Sequence, residues 1–205
     1  MERPDGPLDV DCIMPAAGLS SRMGRWKLML PYNDSTILEA SIKNALLACS
    51  RVILVVGHRA DEIVAKLQGR ANIDIVINPD YEQGMFSSIQ CGLQYVNSEY
   101  FFIAHADMPR IAPAVYQHLW QKRALGTVFP GDKTLTGHPV LISHQLKSQV
   151  LEKPQHYGMK AILRDFPIQY LNLDNSDIHF DIDTPEAYEK LCQLSQEQYH
   201  LDKNP

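Results

Sequence analysis

Residues 11–27 read DCIMPAAGLSSRMGRWK. The first five form a short apolar run suited to a buried strand, and Ala16, Ala17 and Gly18 then strip the chain of side-chain bulk before Arg22 and Lys27 add two cations. A strand opening straight into a small, cation-bearing loop is what the first unit of an open α/β sheet looks like, because ligands collect beyond the C-terminal ends of such strands. Outward from this stretch the pattern repeats. RVILVVG (51–57), IDIVIN (73–78) and YFFIAH (100–105) are near-continuous apolar runs of the kind buried on both faces of a largely parallel sheet. Helical patterns lie between them: TILEASIKNALLAC, with Thr36 and Glu39 at capping-box spacing, then ADEIVAKLQG, GMFSSIQCGLQYV and PAVYQHLWQKRAL. This βαβα rhythm predicts a three-layer α/β domain. After Gly126 the pattern shifts to TVFP, HPVLIS, IQYLNL and IHFDI as strands, short helices near QLKSQVLE and GMKAILRD, and a closing helix over TPEAYEKLCQLSQEQ. A mixed sheet is expected there, with an inserted region beside the mouth of the site.

Bulk properties narrow the class. The 205 residues suit one domain over 1–205 with frayed tails at about 1–9 and 199–205. A net charge of −5 argues against nucleic acid or an anionic membrane as partner, while permitting a local basic pocket. No apolar run approaches the ~18 residues of a membrane span. The N-terminal MERPDGPLDVDC lacks the apolar region of a secretory signal. Cys12, Cys49, Cys91 and Cys192 form no CxxC pair and read as reduced thiols, so a cytoplasmic location is expected.

The loop after the first strand suits a polyphosphate: exposed backbone amides, a guanidinium fork at Arg22 and a mobile point charge at Lys27. It is neither a Walker A loop, since no GK[ST] follows Gly24, nor a GxGxxG dinucleotide fingerprint. A surface turn with incidental basic residues is the alternative. Two acids follow strands, Asp107 in FFIAHADMPR and Asp183 in FDIDTPEAY. Together they would meet the one or two carboxylates that Mg2+ takes beside substrate phosphates; a turn acid or helix N-cap is the other reading of each. Asp181 shares a face with Asp183 if the strand extends that far. In NPDYEQGMFSSIQCGL, Asn78 ends a strand and Gly84, Ser87 and Ser88 open a helix able to recognise a base, a ribose or an anion. Among eight histidines, His105 and His138 stand near these segments, with Gly137 beside the latter. Trp26 is expected to pack on the domain.

In the order AAGLSSRMGRWKLMLP, NPDYEQGMFSS, ADMP, GHPVLIS and DIDTPE, these motifs make the chain, from Asp11 to the helix after Thr184, resemble the molybdenum cofactor cytidylyltransferases. These sit in a nucleotidyltransferase superfamily that also holds the molybdenum cofactor guanylyltransferases. The resemblance implies a Rossmann-like three-layer α/β/α domain with a mostly parallel central sheet, of the nucleotide-diphospho-sugar transferase type. It implies transfer of CMP from CTP to the molybdenum-bearing pterin cofactor, giving the cytosine dinucleotide form and pyrophosphate for a molybdenum hydroxylase client. Pro15, Ala16, Ala17, Gly18 and Leu19 become the nucleotide loop, with Arg22 and Lys27 on its phosphates. Asn78, Gly84, Ser87 and Ser88 join the nucleotide site, Asp107 and Asp183 hold Mg2+, and the pterin lies near Gly137 and His138. Relatives using GTP tend to carry a glycine pair where this chain has Ala16 and Ala17, whose β-carbons leave less room for a purine. Two departures stand out: Ala106 replaces the glycine before the metal aspartate, and Trp26 replaces a frequent proline. A guanylyl- or other nucleotidyltransferase, and a non-catalytic cofactor-delivery chaperone, are the alternatives.

Overall fold

Each apolar run becomes a strand wherever both of its faces find a hydrophobic layer. In the computed structural model, which describes residues 6–20, 23–154 and 157–203, the chain runs β1 (Leu8–Pro15), β2 (Pro31–Tyr32), β3 (Ser35–Thr36), α1 (Ile37–Leu46), β4 (Cys49–Val56), α2 (Ala60–Leu67) and β5 (Ile73–Ile77). It continues through α3 (Met85–Leu93), β6 (Tyr100–Ile103), α4 (Pro113–Gln121), β7 (Thr127–Pro130), β8 (Val140–Ser143), α5 (Lys147–Glu152), α6 (Met159–Leu163), β9 (Ile168–Leu171) and α7 (Pro185–Lys203). Local chemistry sets several starts. Thr36 caps α1 by accepting from the Glu39 amide, and its hydroxyl donates to the Glu39 carboxylate at 2.8 Å. Pro113 opens α4, where its missing N–H costs nothing. Gly84, at φ 98°, opens α3 from a backbone conformation that other residues resist.

The main sheet has seven strands in the order β5-β4-β1-β6-β8-β7-β9. β5, β4, β1 and β6 are mutually parallel, β8 runs antiparallel to both of its neighbours, and β7 pairs parallel with β9. Side-chain alternation sorts the core into two layers. Cys12, Met14, Leu54 and Phe102 pack with Leu38, Ile63 and Leu119 of α1, α2 and α4 on one face. Ile13, Ile53, Val55 and Phe101 pack with Ile89, Val150 and Ile162 of α3, α5 and α6 on the other. The result is a three-layer α/β fold. β2 and β3 make a separate hairpin, and Leu30, Tyr32 and Ile37 there pack on Ile182 and on Leu191 of α7.

Three expectations are revised. β1 begins at Leu8, inside the expected tail, because the Leu8 amide bonds the Ala48 carbonyl at 2.8 Å and its side chain is buried. At the other end the α7 backbone stays helical to Lys203. IHFDI forms no strand: Ser176–His179 is a 3-10 turn, and the Ile182 amide bonds the Asp107 carbonyl at 3.1 Å instead of a sheet neighbour. Chain order also places the site. From β1 the sheet grows through β4 to β5, then returns to the other side of β1 with β6, so a crevice opens where the direction reverses.

Candidate active site

A cleft of about 390 Å³ lies at that reversal, within the range of small-ligand sites. Its first wall is the β1 loop. The Ala16 amide still bonds the Val55 carbonyl at 2.7 Å, and the His58 amide reaches Ala17 at 3.4 Å, so the loop leaves the sheet anchored to β4. Pro15, Ala16, Ala17, Gly18 and Leu19 all line the cleft. A β-carbon on Gly18 would meet nothing within 4 Å, so the space beside it is open. Ser20 sits at φ 54° and turns the loop back; its hydroxyl accepts from the Lys27 amide at 3.4 Å. Trp26 is buried among the core residues, with the Arg59 guanidinium 4.3 Å above its ring. That packing fixes the residue next to Lys27 and accounts for Trp26 as structural. Arg22 lies outside the described residues.

Lys27 is the meeting point of the site. Its ammonium donates to Asp107 Oδ2 and to Asp183 Oδ1, each at 2.5 Å, with all three side chains mostly shielded from water. Burial pulls the ammonium pKa down, but the charges of Asp107 and Asp183 outweigh it and hold it above the ordinary lysine value. The bond from the Ile182 amide to the Asp107 carbonyl brings the two acidic segments side by side. Asp181, beside them, has its carboxyl pKa raised, by burial first and then by the Asp183 charge. Ala106 has no positive φ, so the position before Asp107 does not need glycine here. Among the described residues no group of three or more His, Cys, Asp or Glu side chains is arranged to hold a metal. Asp107 and Asp183 nonetheless both reach one cationic nitrogen.

The opposite wall comes from the β5–α3 connection. Gly84 and Ser88 line the cleft; Asn78 and Ser87 are buried behind it. Asn78 donates to the Ser87 and Ser88 hydroxyls at 2.9 and 3.0 Å and accepts from the Asp80 amide at 3.0 Å, so it braces the wall. Sequence reasoning missed Tyr81, Glu82 and Met85, which also line the cleft. One signal for Tyr81 was available in Gly57: a β-carbon there would stand 2.5 Å from Tyr81 Cβ, so glycine is what lets the ring approach.

His105 lines the cleft beside Asp107, and its ring lies 3.7 Å from that of His138, centroid to centroid. Burial drives the His105 pKa down to about 4, helped by the Lys27 charge, and drives His138 to about 3, helped by His105. Both are neutral near pH 7. Gly137 does not reach the cleft: a β-carbon there would meet the Ile178 carbonyl at 2.6 Å, so its glycine serves packing against the 3-10 turn.

Residues 12–173 match the MobA-like NTP transferase domain. The chain belongs to that family. Among curated MobA-like relatives and others, it is 40% identical over 179 residues to the molybdenum cofactor cytidylyltransferase of Escherichia coli K12, covering 87% of this chain and 93% of that one. It is 27% identical to the nicotine blue oxidoreductase of Paenarthrobacter nicotinovorans, over 91% of this chain and 99% of that one. A nucleotidyl transferase structure from Methanothermobacter thermautotroptrophicus superposes with a TM-score of 0.79 at 19% identity, over 93% of this chain and 99% of that one, and carries the fold alone. In this MobA-like chain the loop, Lys27 and Asp107 line one cleft, and Asp183 joins them through Lys27. No helix among the described residues is long and apolar enough to cross a membrane.

Proposed function

We propose that this chain, as a single domain over 1–205, transfers CMP from CTP to the molybdenum-bearing pterin cofactor and releases pyrophosphate. The observation that carries the reading is Lys27 bridging Asp107 and Asp183 at the edge of the small-residue loop. The 40% identity to a protein named for this activity supports the choice of CTP and pterin. Ala16 and Ala17, both in the cleft lining, support a pyrimidine over a purine through the room their β-carbons take.

In this reaction an oxygen of the pterin's terminal phosphate attacks the α-phosphorus of CTP. The bond from that phosphorus to the bridging oxygen breaks, and pyrophosphate carries the electron pair away. A phosphate monoester has a second pKa of about 6, so the attacking group needs no general base near neutrality. Neutral His105, which lines the cleft with the His138 ring against it, is consistent with that, and we assign this side to the pterin. Asp107 and Asp183 fit a divalent cation because both carboxylates already converge on one positive nitrogen. Mg2+ there would neutralise phosphate charge. Lys27 is aimed at the same charge, and the amides after Ala16 offer donors to phosphate oxygens. We assign Arg22 to those phosphates as well.

A molybdenum hydroxylase is the client proposed for the product, and the cytoplasm the compartment, in keeping with four free cysteines. Incubation with the molybdenum-pterin cofactor, Mg2+ and each of CTP, GTP and UTP tests the reading by pyrophosphate release and dinucleotide product. CTP should give both. Release with GTP alone would make the protein a guanylyltransferase, and cofactor binding without pyrophosphate would make it a carrier. Absence of both in every arm would leave the redox chemistry named for the 27% relative as the better lead.

A further inference from the structure

We propose that Arg59 is a positioning residue for the site: by clamping Trp26 it holds the ammonium of Lys27 between Asp107 and Asp183. This rests on, and deepens, the nucleotidyltransferase reading by naming what aims its lysine. The clamp belongs to a turn that touches the cleft region three times. Gly57, His58 and Arg59 follow one another off the C-terminal end of β4. Gly57 admits Tyr81 of the opposite wall, since a β-carbon there would stand 2.5 Å from Tyr81 Cβ. The His58 amide donates to the Ala17 carbonyl in the small-residue loop at 3.4 Å. Arg59 reaches the third piece, Trp26, with its guanidinium 4.3 Å above the indole.

Local strain marks this contact. The Arg59 backbone sits at φ 54°, in the left-handed region that is costly for a residue with a β-carbon and persists only where the surroundings impose it. Glu62, in the first turn of α2, grips the guanidinium twice: Oε1 accepts from Nε, and Oε2 accepts from a terminal NH2 at 2.6 Å. A cationic fork fixed in this way can lie over an aromatic face, whose negative charge density attracts it. Trp26 lacks any polar tether of its own. It is buried, and its indole N–H has no hydrogen-bond partner among the described residues. Trp26 in turn governs Lys27 through the backbone. It precedes the 3-10 turn Lys27–Met29, and its carbonyl accepts from the Met29 amide at 3.3 Å. A rotation at Trp26 would therefore swing the root of the Lys27 side chain away from the two acids.

Spin-resonance titration of the nucleotide-free protein with Mn2+ tests this without any turnover. The Lys27 ammonium occupies the point on which both acids converge, so a metal ion must displace it. Arg59→Ala should loosen the ammonium and tighten Mn2+ binding by ~5-fold, the weight of one partly exposed cation–π contact. In a Lys27→Ala background the same substitution should move Mn2+ affinity by less than ~2-fold, because Arg59 acts only through Lys27. Arg59→Lys keeps a cation for the indole and should stay within ~2-fold of the wild type. Pyrophosphate release from CTP with the pterin cofactor should follow the same pattern, kcat falling ~5-fold in Arg59→Ala and no further once Lys27 is gone. A merely structural role would act equally in both backgrounds. Equal shifts of Mn2+ affinity with and without Lys27, or no shift in either, would overturn the assignment even where CTP is turned over. A shift that requires Lys27, in a protein that turns over no nucleotide, would uphold the clamp and defeat the proposed function instead.

Discussion

Lys27 holds one positive charge between two carboxylates, and its removal has two separable effects. Without the ammonium, the phosphates lose a donor, and we expect Lys27→Ala to lower turnover by ~10²–10³-fold, the usual loss for one transition-state donor. The same change leaves Asp107 and Asp183 facing each other with Asp181 nearby, so a divalent ion should bind the nucleotide-free variant more tightly than the wild type. Electron paramagnetic resonance titration with Mn2+ reads the second effect independently of catalysis. Equal Mn2+ affinity in both proteins would show that the lysine does not compete for the acids. Sequence reasoning identified Lys27 and paired Asp107 with Asp183 as joint metal ligands. It did not foresee that the lysine bridges them, because the partners lie far apart in the chain and only the fold brings them within 2.5 Å. Asn78 shows the same limit: its type and place suggested a ligand contact, yet its burial makes it a brace.

Among the elements, α3 carries the serine wall and rests on the sheet through a glycine. A β-carbon at Gly92 would stand 2.8 Å from Val55 Cγ2 and 2.9 Å from Ile13 Cγ2, both in the fully buried layer between helix and strands. Gly92→Ala should therefore destabilise the protein by about 1–3 kcal/mol, measured as a lower urea midpoint. An unchanged midpoint would mean that α3 shifts freely on the sheet. Gly57→Ala acts on the cleft instead, because Tyr81 Cβ lies at 2.5 Å and a tyrosine cannot move that atom without moving its backbone. We expect KM for the nucleotide to rise with the fold retained, checked by steady-state kinetics beside circular dichroism. The strands of the parallel half were legible because burial on both faces leaves near-continuous apolar runs. IHFDI misled because Ile178 and Ile182 are buried without any sheet neighbour, and apolar spacing alone does not say where backbone hydrogen bonds go. The mixed sheet expected after Gly126 is present, but which strand would reverse was unreadable, since pairing is a long-range choice.

For the molecule as a whole, acid is the condition to watch. His105 and His138 stay neutral in the fold down to about pH 4 and about pH 3, whereas an unfolded histidine takes its proton near 6.5. Below pH 6.5 the unfolded chain thus binds protons that the folded one refuses, and stability falls as pH drops through that window. The slope approaches about 1.4 kcal/mol per pH unit for each ring. Lys27 and Lys160 oppose protonation of His105 and His138 respectively, while Asp183 and Asp107 favour it, and burial decides the outcome. His138→Phe should make Tm less sensitive to pH between 4 and 6.5 in scanning calorimetry; a slope equal to the wild type's would mean that His138 is protonated in the fold.

The amide of Ile182 rests on the Asp107 carbonyl, outside any ladder. Its exchange with deuterium is consequently governed by the parting of two distant stretches of chain and not by the fraying of a sheet. A single backbone proton, read by mass spectrometry or NMR with nothing bound, would time how often the acidic pair comes apart.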